Sequence, residues 1–359
     1  MSQKKREPNF EVMRTVAMFF IVVYHCLTHG VGGQYVFSMS EPVSLLNLTC
    51  ADLLLVFSSI SVNLYVMVSG YFLADLEFKP SRMVRTWLNA MFYSVIITVL
   101  FMSLSLKPFS MIQLGKSFFP ISTDAYWFVT QYIGLLILSP FLGRLARQLS
   151  YRQYVGLLIG GAFLCLALIP DFPLGKRFHV AHGNSLWSFA YLFMVAGFIR
   201  YHLQVISMRK LLSAIVIVVL LTITGELLLG WQNDGVHLYW FNYNALPFVL
   251  SVLMFVFFRQ MRIPDTGIWH VMVKVAPYTF GVYLVHDHLM MREWLWKTVA
   301  LPTWCDKWLF PLIVVGLCLM IFVIGVLIDF FRKQLFTFCK IDSTVAKLDR
   351  WSFYTKLFT

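Results

Sequence analysis

The chain has 359 residues, of which 59% are hydrophobic and 13% are charged, and its mean hydropathy is +0.73. Soluble domains average about 45–50% apolar and about 25% charged residues. This composition excludes a soluble enzyme, a disordered chain and a secreted disulfide scaffold, and it predicts a polytopic membrane protein. The net charge of +12 does not indicate nucleic-acid binding, because the basic residues fall in small groups between apolar runs instead of one patch.

Ten apolar runs follow one another along the chain. Each is about as long as a helix that spans a bilayer, and a helix pairs its own backbone groups in lipid, which an open strand cannot do. The sequence therefore predicts an all-α integral membrane protein, a bundle of about ten transmembrane helices. The predicted spans are 10–29, 51–74, 86–105, 125–143, 153–170, 185–201, 211–231, 242–258, 275–291 and 308–331. Together they form one transmembrane domain, 1–331, followed by a basic and aromatic tail, 332–359.

The distribution of lysine and arginine predicts the orientation of the spans. With the N-terminus placed in the cytoplasm, 21 of the 29 basic residues fall on cytoplasmic segments and seven on the opposite side, while Arg14 lies within the first span. Cytoplasmic loops of membrane proteins carry such an excess of positive charge. We therefore expect both termini and the tail on the cytoplasmic side.

The first span carries ionisable residues on one face. Arg14 and His25 are eleven residues apart, which is close to three helical turns and about 16 Å along the axis. Glu11 and His29 extend the same face. Taken singly, Arg14 pairing with Glu11 and His25 bonding to another helix need no function. Because charges at membrane depth are costly, the shared face favours a functional interpretation.

Two further spans carry ionisable residues in their outer halves. In the ninth span, Tyr283 and His286 share a face, at a depth close to that of His25, and Asp287 follows. In the seventh span, Glu226 interrupts the apolar run. A carboxylate that fixes the tautomer of a histidine would support proton transfer, and Glu226 is the first candidate for that role, with Asp287 the second.

The loop after the second span contains Arg82 and Arg85, at the start of a helix. Their spacing lets both side chains meet one anion, and the guanidinium group suits phosphate. On spacing alone, positive-inside anchoring is the better explanation of the pair. The sequence shows no cluster with metal-ligand spacing and no glycine-rich nucleotide loop.

Taken in chain order, these motifs resemble the acyltransferase family 3 of integral membrane proteins, bacterial O-acyltransferases that modify surface glycans. The similarity extends over nearly the whole chain. The matching positions are Arg14 and His25 for its Arg-X10-His signature, Ser69-Gly70-Tyr71, Arg82 and Arg85 for its Arg-X-X-Arg pair, Asn244-Ala-Leu-Pro247, and Tyr283-Leu-Val-His286.

The resemblance implies an O-acetyltransferase of the bacterial cytoplasmic membrane that needs no metal. Acetyl-CoA would be the acyl donor, and a hydroxyl of a surface polysaccharide or a lipid-linked glycan the acceptor. Membrane lipid and glycan-assembly proteins are further expected partners. The residues expected to hold the donor are Arg14, Arg82, Arg85, Ser69 and Tyr71.

His25 would then be the central catalytic residue, together with Arg14, Glu226 and His286. The sequence leaves open whether His25 acts as a general base on the acceptor hydroxyl or as a nucleophile that carries the acyl group. His286 is an alternative group for orienting the acceptor. The candidate acceptor-binding residues are Tyr283, Asn244 and Asp287. The candidate oxyanion donors are Ser69, Tyr71, Tyr283 and Asn244.

Two other classes of protein fit the same residues. A transporter or flippase for a lipid-linked glycan or an organic anion would use intramembrane Arg, His and Glu as a substrate or proton path. A regulatory or assembly subunit would keep the catalytic residues without using them. Consumption of a thioester distinguishes the enzyme from both.

Overall fold

The computed structural model describes residues 7–30, 37–38, 44–164, 184–232, 235–236 and 245–350, and most of them lie in helices. The helices are α1 (Pro8–His29), α2 (Leu45–Ser59), α3 (Ser61–Leu73), α4 (Pro80–Ser103), α5 (Met111–Ser117), α6 (Trp127–Gln148), α7 (Tyr151–Ala162), α8 (Leu186–Tyr201), α9 (Met208–Gln232), α10 (Ala245–Gln260), α11 (Gly267–Val275), α12 (Thr279–His286), α13 (Leu289–Val299), α14 (Phe310–Phe338) and α15 (Ile341–Ala346). Two strands of two residues, β1 (Phe37–Ser38) and β2 (Gly235–Val236), pair antiparallel.

The described residues include seven stretches that are long and apolar enough to cross a membrane, and α8 and α10 are shorter apolar helices. This confirms the predicted class, an all-α membrane protein. The seven stretches are Pro8–His29, Leu46–Leu73, Pro80–Ser103, Trp127–Gln148, Met208–Gly225, Gly267–His286 and Phe310–Phe338. Of the predicted span 153–170, α7 covers the first part, and residues 165–170 lie outside the described ranges.

The second of these stretches is interrupted between α2 and α3. The hydroxyls of Ser58, Ser59 and Ser61 all donate to backbone carbonyls three or four residues earlier. Such bonds compete with the helical ladder and bend a helix. The serine cluster around Ile60 therefore explains why one apolar run forms two helices.

The predicted span 275–291 differs from the observed helices at both ends. The helix begins earlier, at Gly267, and a short 3₁₀ turn, Ala276–Tyr278, joins α11 to α12. Pro277 lies in that turn, where its missing N–H cannot continue the α-helical ladder. The helix then ends at His286, and the next helix, α13, begins at Leu289. As a result, His286 and Asp287 lie at a helix terminus.

Helix α1 occupies the centre of the bundle. Of its most apolar stretch, 72% of the residues are buried, compared with 28% for α14. It packs against α2, α3, α10, α11, α12 and α14. Side chains of α1 bond it to two neighbouring helices. The Asn9 side chain donates to the backbone carbonyls of Phe258 and Arg259 in α10. The Thr15 hydroxyl donates to the backbone carbonyl of Met272 in α11. The polar face of α1 thus points at other helices and not at lipid.

Helix α14 continues to Phe338, so the predicted boundary at residue 331 falls inside a helix. At 29 residues it is about 44 Å long, which exceeds the hydrocarbon thickness of about 30 Å. The segment after it returns to the start of α4. The Asp349 carboxylate accepts hydrogen bonds from the Ser81 backbone N–H and hydroxyl, at 3.0 and 2.8 Å. Residues 341–350 are therefore packed against the start of α4.

Candidate active site

Two buried histidines from α1 and α12 meet inside the bundle. Nδ1 of His25 lies 2.9 Å from Nε2 of His286. The two residues are 261 positions apart in sequence, and both side chains are buried. The contact exists because α1 packs directly against α12. The fold thus joins the two intramembrane histidines that the sequence singles out.

Hydrogen bonding fixes which nitrogen of each histidine carries a proton. Nδ1 of His286 lies 2.6 Å from the carbonyl oxygen of Val282, which can only accept. Nδ1 of His286 is therefore the donor, and its Nε2 is the acceptor for Nδ1–H of His25. Neutral His25 is left with its one lone pair on Nε2. This is the form that a general base or a nucleophile requires.

Asp287 provides the negative charge at this site. One of its carboxylate oxygens lies 3.5 Å from Nδ1 of His25 and 2.9 Å from Nε of Arg292. The Arg292 side chain also donates to the Asp287 backbone carbonyl, at 3.2 Å. Arg292 therefore holds the carboxylate beside His25, where it can stabilise the imidazolium formed when His25 takes a proton.

A cavity of about 610 Å³ adjoins His29 on the side predicted to face outward. His29, one helical turn beyond His25, lies in its wall together with Arg292 and Trp296. Its remaining lining residues include Glu293, Lys297 and Thr303. The mixture of an aromatic ring with charged and hydroxyl groups suits a polar ligand better than a lipid chain. We name this space the outer cavity.

A second cavity of about 610 Å³ opens near the opposite end of α1. Its lining includes basic groups from three helices, Arg14, Arg85, Arg332 and Lys333, and the acidic residues Glu7, Glu11 and Asp342. Arg14 pairs with Glu11 at 3.1 Å, and Arg85 lies 3.6 Å from Asp342. We name this space the inner cavity. Its size lies in the usual range for small-molecule sites.

Aromatic rings fill the region between the inner cavity and the histidines. Tyr65 and Phe128 line the cavity, and their ring centroids are 6.5 Å apart. Phe128 lies 5.8 Å from Tyr283, whose ring is 6.4 Å from that of His286. Thr279, another lining residue, is seven positions before His286, or about 10 Å along α12. A row of packed rings thus connects the wall of the inner cavity to His286.

The predicted donor-binding residues divide into two groups. Arg14, Arg85 and Ser69 line the inner cavity, and the Ser69 hydroxyl lies 3.2 Å from that of Tyr132. Arg82 and Tyr71 are not among the described lining residues. Arg82 donates to the carbonyl of Glu77. The two arginines of the Arg-X-X-Arg pair therefore do not converge on one point of the cavity.

Tyr71 has a packing role in the structure. Its ring contacts Phe10, Phe72 and Phe255, and the Arg200 guanidinium lies over it at 4.8 Å. The Tyr71 carbonyl also accepts a hydrogen bond from Arg200, at 2.7 Å. The residue joins α3 to α8 and α10 at one end of the bundle.

Two other predicted site residues are not described. Asn244 lies outside the described ranges, and Glu226 lies in α9 at a position whose side chain is outside the described set. Asp287, the second carboxylate candidate, is the one that the structure places beside His25.

Three residues near the cavities had no role in the sequence interpretation. Arg292 lies five positions after Asp287, and this spacing gave no signal because Asp287 follows the end of α12 and Arg292 lies in the next helix, α13. Arg332 and Lys333 fell in the predicted tail. Arg332 forms a two-point ion pair with buried Asp329, at 2.8 and 2.9 Å, and donates to the Asn89 side chain. The continuation of α14 beyond residue 331 is what brings both residues to the inner cavity.

One group of metal-ligand type is present among the described residues. A ring nitrogen of His25, a ring nitrogen of His29 and a carboxylate oxygen of Asp287 lie within 4.8 Å of one another. The sequence shows no such cluster because Asp287 is far from the two histidines along the chain. The group forms only when α12 packs on α1.

Comparison with known families agrees with the motifs. The acyltransferase 3 family model, described as an acyltransferase domain, matches residues 7–330. The match covers essentially the whole chain, which therefore belongs to this family. No curated protein and no solved structure matches it significantly. With its apolar helices, the protein is a multi-pass membrane acyltransferase.

Proposed function

We propose that the protein transfers an acetyl group from cytosolic acetyl-CoA to a hydroxyl of a surface polysaccharide or a lipid-linked glycan, in the cytoplasmic membrane of a bacterium. The observation that carries this proposal is the buried His25–His286 pair, which lies between two cavities near opposite ends of α1. A donor and an acceptor can approach such a pair from opposite sides of the membrane.

The inner cavity supports a phosphorylated donor. Arginine binds phosphate through two parallel hydrogen bonds, and Arg14, Arg85 and Arg332 all line this space. A thioester such as acetyl-CoA joins a charged nucleotide to a long, mostly uncharged arm. In this proposal the arginines hold the nucleotide, and the arm runs along Tyr65 and Phe128 toward His25.

His25 is proposed as the general base. Its free Nε2 takes the proton of the acceptor hydroxyl while the oxygen attacks the thioester carbonyl carbon. The carbon–sulfur bond then breaks, and the departing thiolate takes the proton from the His25 imidazolium. Asp287 and His286 stabilise that imidazolium through the contacts at Nδ1. General acid–base catalysis of this kind contributes about 10²–10⁴-fold in rate.

A covalent route through the same atom is the second mechanism. Nε2 of His25 would attack the thioester carbonyl carbon, the carbon–sulfur bond would break with the coenzyme A thiolate leaving, and an acyl-imidazolium would form. The acceptor hydroxyl would then attack the acyl carbon, the carbon–nitrogen bond would break, and the hydroxyl proton would be released, which leaves neutral His25. Labelled acetyl-CoA without acceptor distinguishes the two routes. Acid-labile, hydroxylamine-sensitive label on the protein supports the covalent route, and unlabelled protein supports direct attack.

The outer cavity supports a glycan acceptor. Thr303, Glu293 and Lys297 in its wall offer hydroxyl, carboxylate and ammonium groups, which can hydrogen-bond to sugar hydroxyls. His29 in the same wall is one turn from His25, so an acceptor in this cavity is close to the proposed base.

Label transfer from acetyl-CoA in sealed membrane vesicles tests the proposal, with label in glycan or lipid as the readout. His25→Ala is expected to lower transfer by about 10²-fold or more. The matched control is His270→Ala, which removes an exposed histidine paired with Asp265 at 2.7 Å. Both variants must first reach normal levels in the membrane.

Two results would contradict parts of this proposal, and a third would invalidate the assay. Full transfer by His25→Ala removes that residue from the mechanism. No transfer by the wild type, with the glycan pool intact, argues against the enzyme and for the transporter interpretation. Equal loss in His270→Ala shows that the assay reports folding or insertion and not the chemistry of His25.

A further inference from the structure

The three side chains that converge below the outer cavity have the chemistry of a transition-metal site. Two imidazoles and one carboxylate are ligands that Zn²⁺ accepts, whereas Mg²⁺ and Ca²⁺ favour oxygen ligands alone. His25 and His29 are four residues apart on α1, so both rings lie on one face of the helix. We propose that His25, His29 and Asp287 bind Zn²⁺ entering from the outer cavity, and that the bound ion blocks acyl transfer.

The distances require only a small closure around an ion. The three ligand atoms lie within 4.8 Å of one another. Ligands at bond lengths of about 2.0–2.2 Å around a tetrahedral Zn²⁺ are about 3.3 Å apart. His29 is the last residue of α1 and lines the outer cavity, so rotation of its side chain can supply this movement.

Neighbouring groups already hold two of the three ligands in place. The ring of His25 is held through its Nδ1 by His286, which in turn is bonded to the Val282 carbonyl. The Asp287 carboxylate is fixed by Arg292. Partners of this kind, which orient ligand rings and carboxylates, are a regular feature of metal sites. His29 lines the outer cavity, from which water can complete the coordination.

Occupation of this site would remove the group that the proposed chemistry needs. A neutral imidazole has one lone pair, and a histidine uses that pair to bind a metal or to accept a proton. A Zn²⁺ ion on His25 therefore competes directly with catalysis. Only this inhibitory effect rests on the proposed function. Binding of the ion rests on the geometry alone.

Calorimetric titration of the purified full-length chain with Zn²⁺ tests the site, using an affinity tag without histidines. We expect one ion per chain. His29→Ala should weaken binding by at least about tenfold, because it removes one of three ligands. His29→Cys should restore most of the affinity, since thiolate is also a zinc ligand. His270→Ala is the control and should bind like the wild type.

The outcomes test Zn²⁺ binding and the inhibition of acyl transfer separately. Absence of saturable binding, or equal affinity in wild type and His29→Ala, would overturn the site. In the vesicle assay, Zn²⁺ supplied on the side of the membrane that the outer cavity faces should inhibit wild-type transfer, and a chelator on that side should reverse the inhibition. Zn²⁺ supplied only on the donor side should not inhibit. Binding without inhibition overturns the blocking step. A wild type that binds Zn²⁺ but transfers no label refutes the proposed function and leaves the metal site standing.

Discussion

His286 acts on its neighbour through a single nitrogen. Its Nδ1–H is held by the Val282 carbonyl, so Nε2 accepts from His25 and leaves the other nitrogen of His25 unprotonated. His286→Ala is expected to lower transfer by about 10²-fold, because the His25 ring loses the partner that sets its tautomer. His286→Gln keeps a side-chain acceptor and should lose less.

The vesicle assay measures both His286 variants beside the wild type. The difference between alanine and glutamine is the informative quantity, since loss of packing alone would affect both. An alanine variant with wild-type transfer would show that the tautomer of His25 does not depend on His286.

Arg82 and Arg85 form a matched pair for testing the donor site. The two side chains carry the same charge on adjacent turns of α4, but only Arg85 is among the described residues that line the inner cavity. Arg85→Gln is expected to raise the KM for acetyl-CoA about tenfold, the effect of losing one charge-assisted hydrogen bond. Arg82→Gln should change the KM much less.

Steady-state kinetics over a range of acetyl-CoA concentrations decide this prediction. A change confined to kcat, or equal effects of the two substitutions, would place the nucleotide elsewhere. The comparison separates a specific contact from the general attraction of a basic loop, because both variants remove one positive charge.

Individual residues were predictable from the sequence where one helix contains the whole pattern. The shared face of Arg14 and His25 follows from helical geometry alone, and the structure places Arg14 at the inner cavity and His25 beside His286. The His25–His286 contact was not predictable, because hydropathy gives the depth of a residue but not its neighbour on another helix. The roles of Arg292 and Arg332 depend on where α12 and α14 end, which apolar run length predicts poorly.

At the scale of elements, Gly70 explains part of the Ser-Gly-Tyr motif. A Cβ atom at this position would lie 2.7 Å from the Cα of Phe193, so the glycine allows close approach of α3 and α8. Gly70→Ala is expected to destabilise the protein by about 1–3 kcal/mol, the usual effect of overpacking. The measurement is the thermal unfolding midpoint in detergent.

Gly316 is the control for that substitution. It lies in α14, and a Cβ there would meet nothing within 4 Å among the described atoms. Gly316→Ala should leave the midpoint unchanged or raise it slightly, because alanine favours the helix by about 0.5–1 kcal/mol over glycine. A midpoint for Gly70→Ala equal to that of the control would contradict the close approach.

The sequence predicted that the chain forms apolar membrane helices, because run length and composition determine that class. It did not predict the interruptions within them. Three serine hydroxyls around Ile60 and one proline at position 277 break the helical ladder locally, and neither changes the hydropathy of the run. Helix ends inside an apolar run depend on hydrogen bonds and packing, which a hydropathy pattern does not contain.

At the scale of the whole molecule, the distribution of charge predicts which cavity faces the cytoplasm. In intact spheroplasts, a membrane-impermeant maleimide should label Lys297→Cys at the outer cavity but not the exposed Cys339 beyond α14. Lysis should make Cys339 reactive. Peptide mass spectrometry identifies the labelled sites. Labelling of Cys339 in intact spheroplasts would reverse the orientation.

The central position of α1 has a consequence for the acyl donors that the enzyme accepts. Arg14 and His25 lie on one rigid helix, so their separation of about 16 Å does not adjust to the ligand. Under the proposed mechanism, this fixed separation sets the distance between the bound nucleotide and the reacting carbonyl. Donors with a shortened arm would fall short of His25 even with an ideal acyl group. Changing donor specificity would therefore require altering the length of a helix and not only the shape of a pocket.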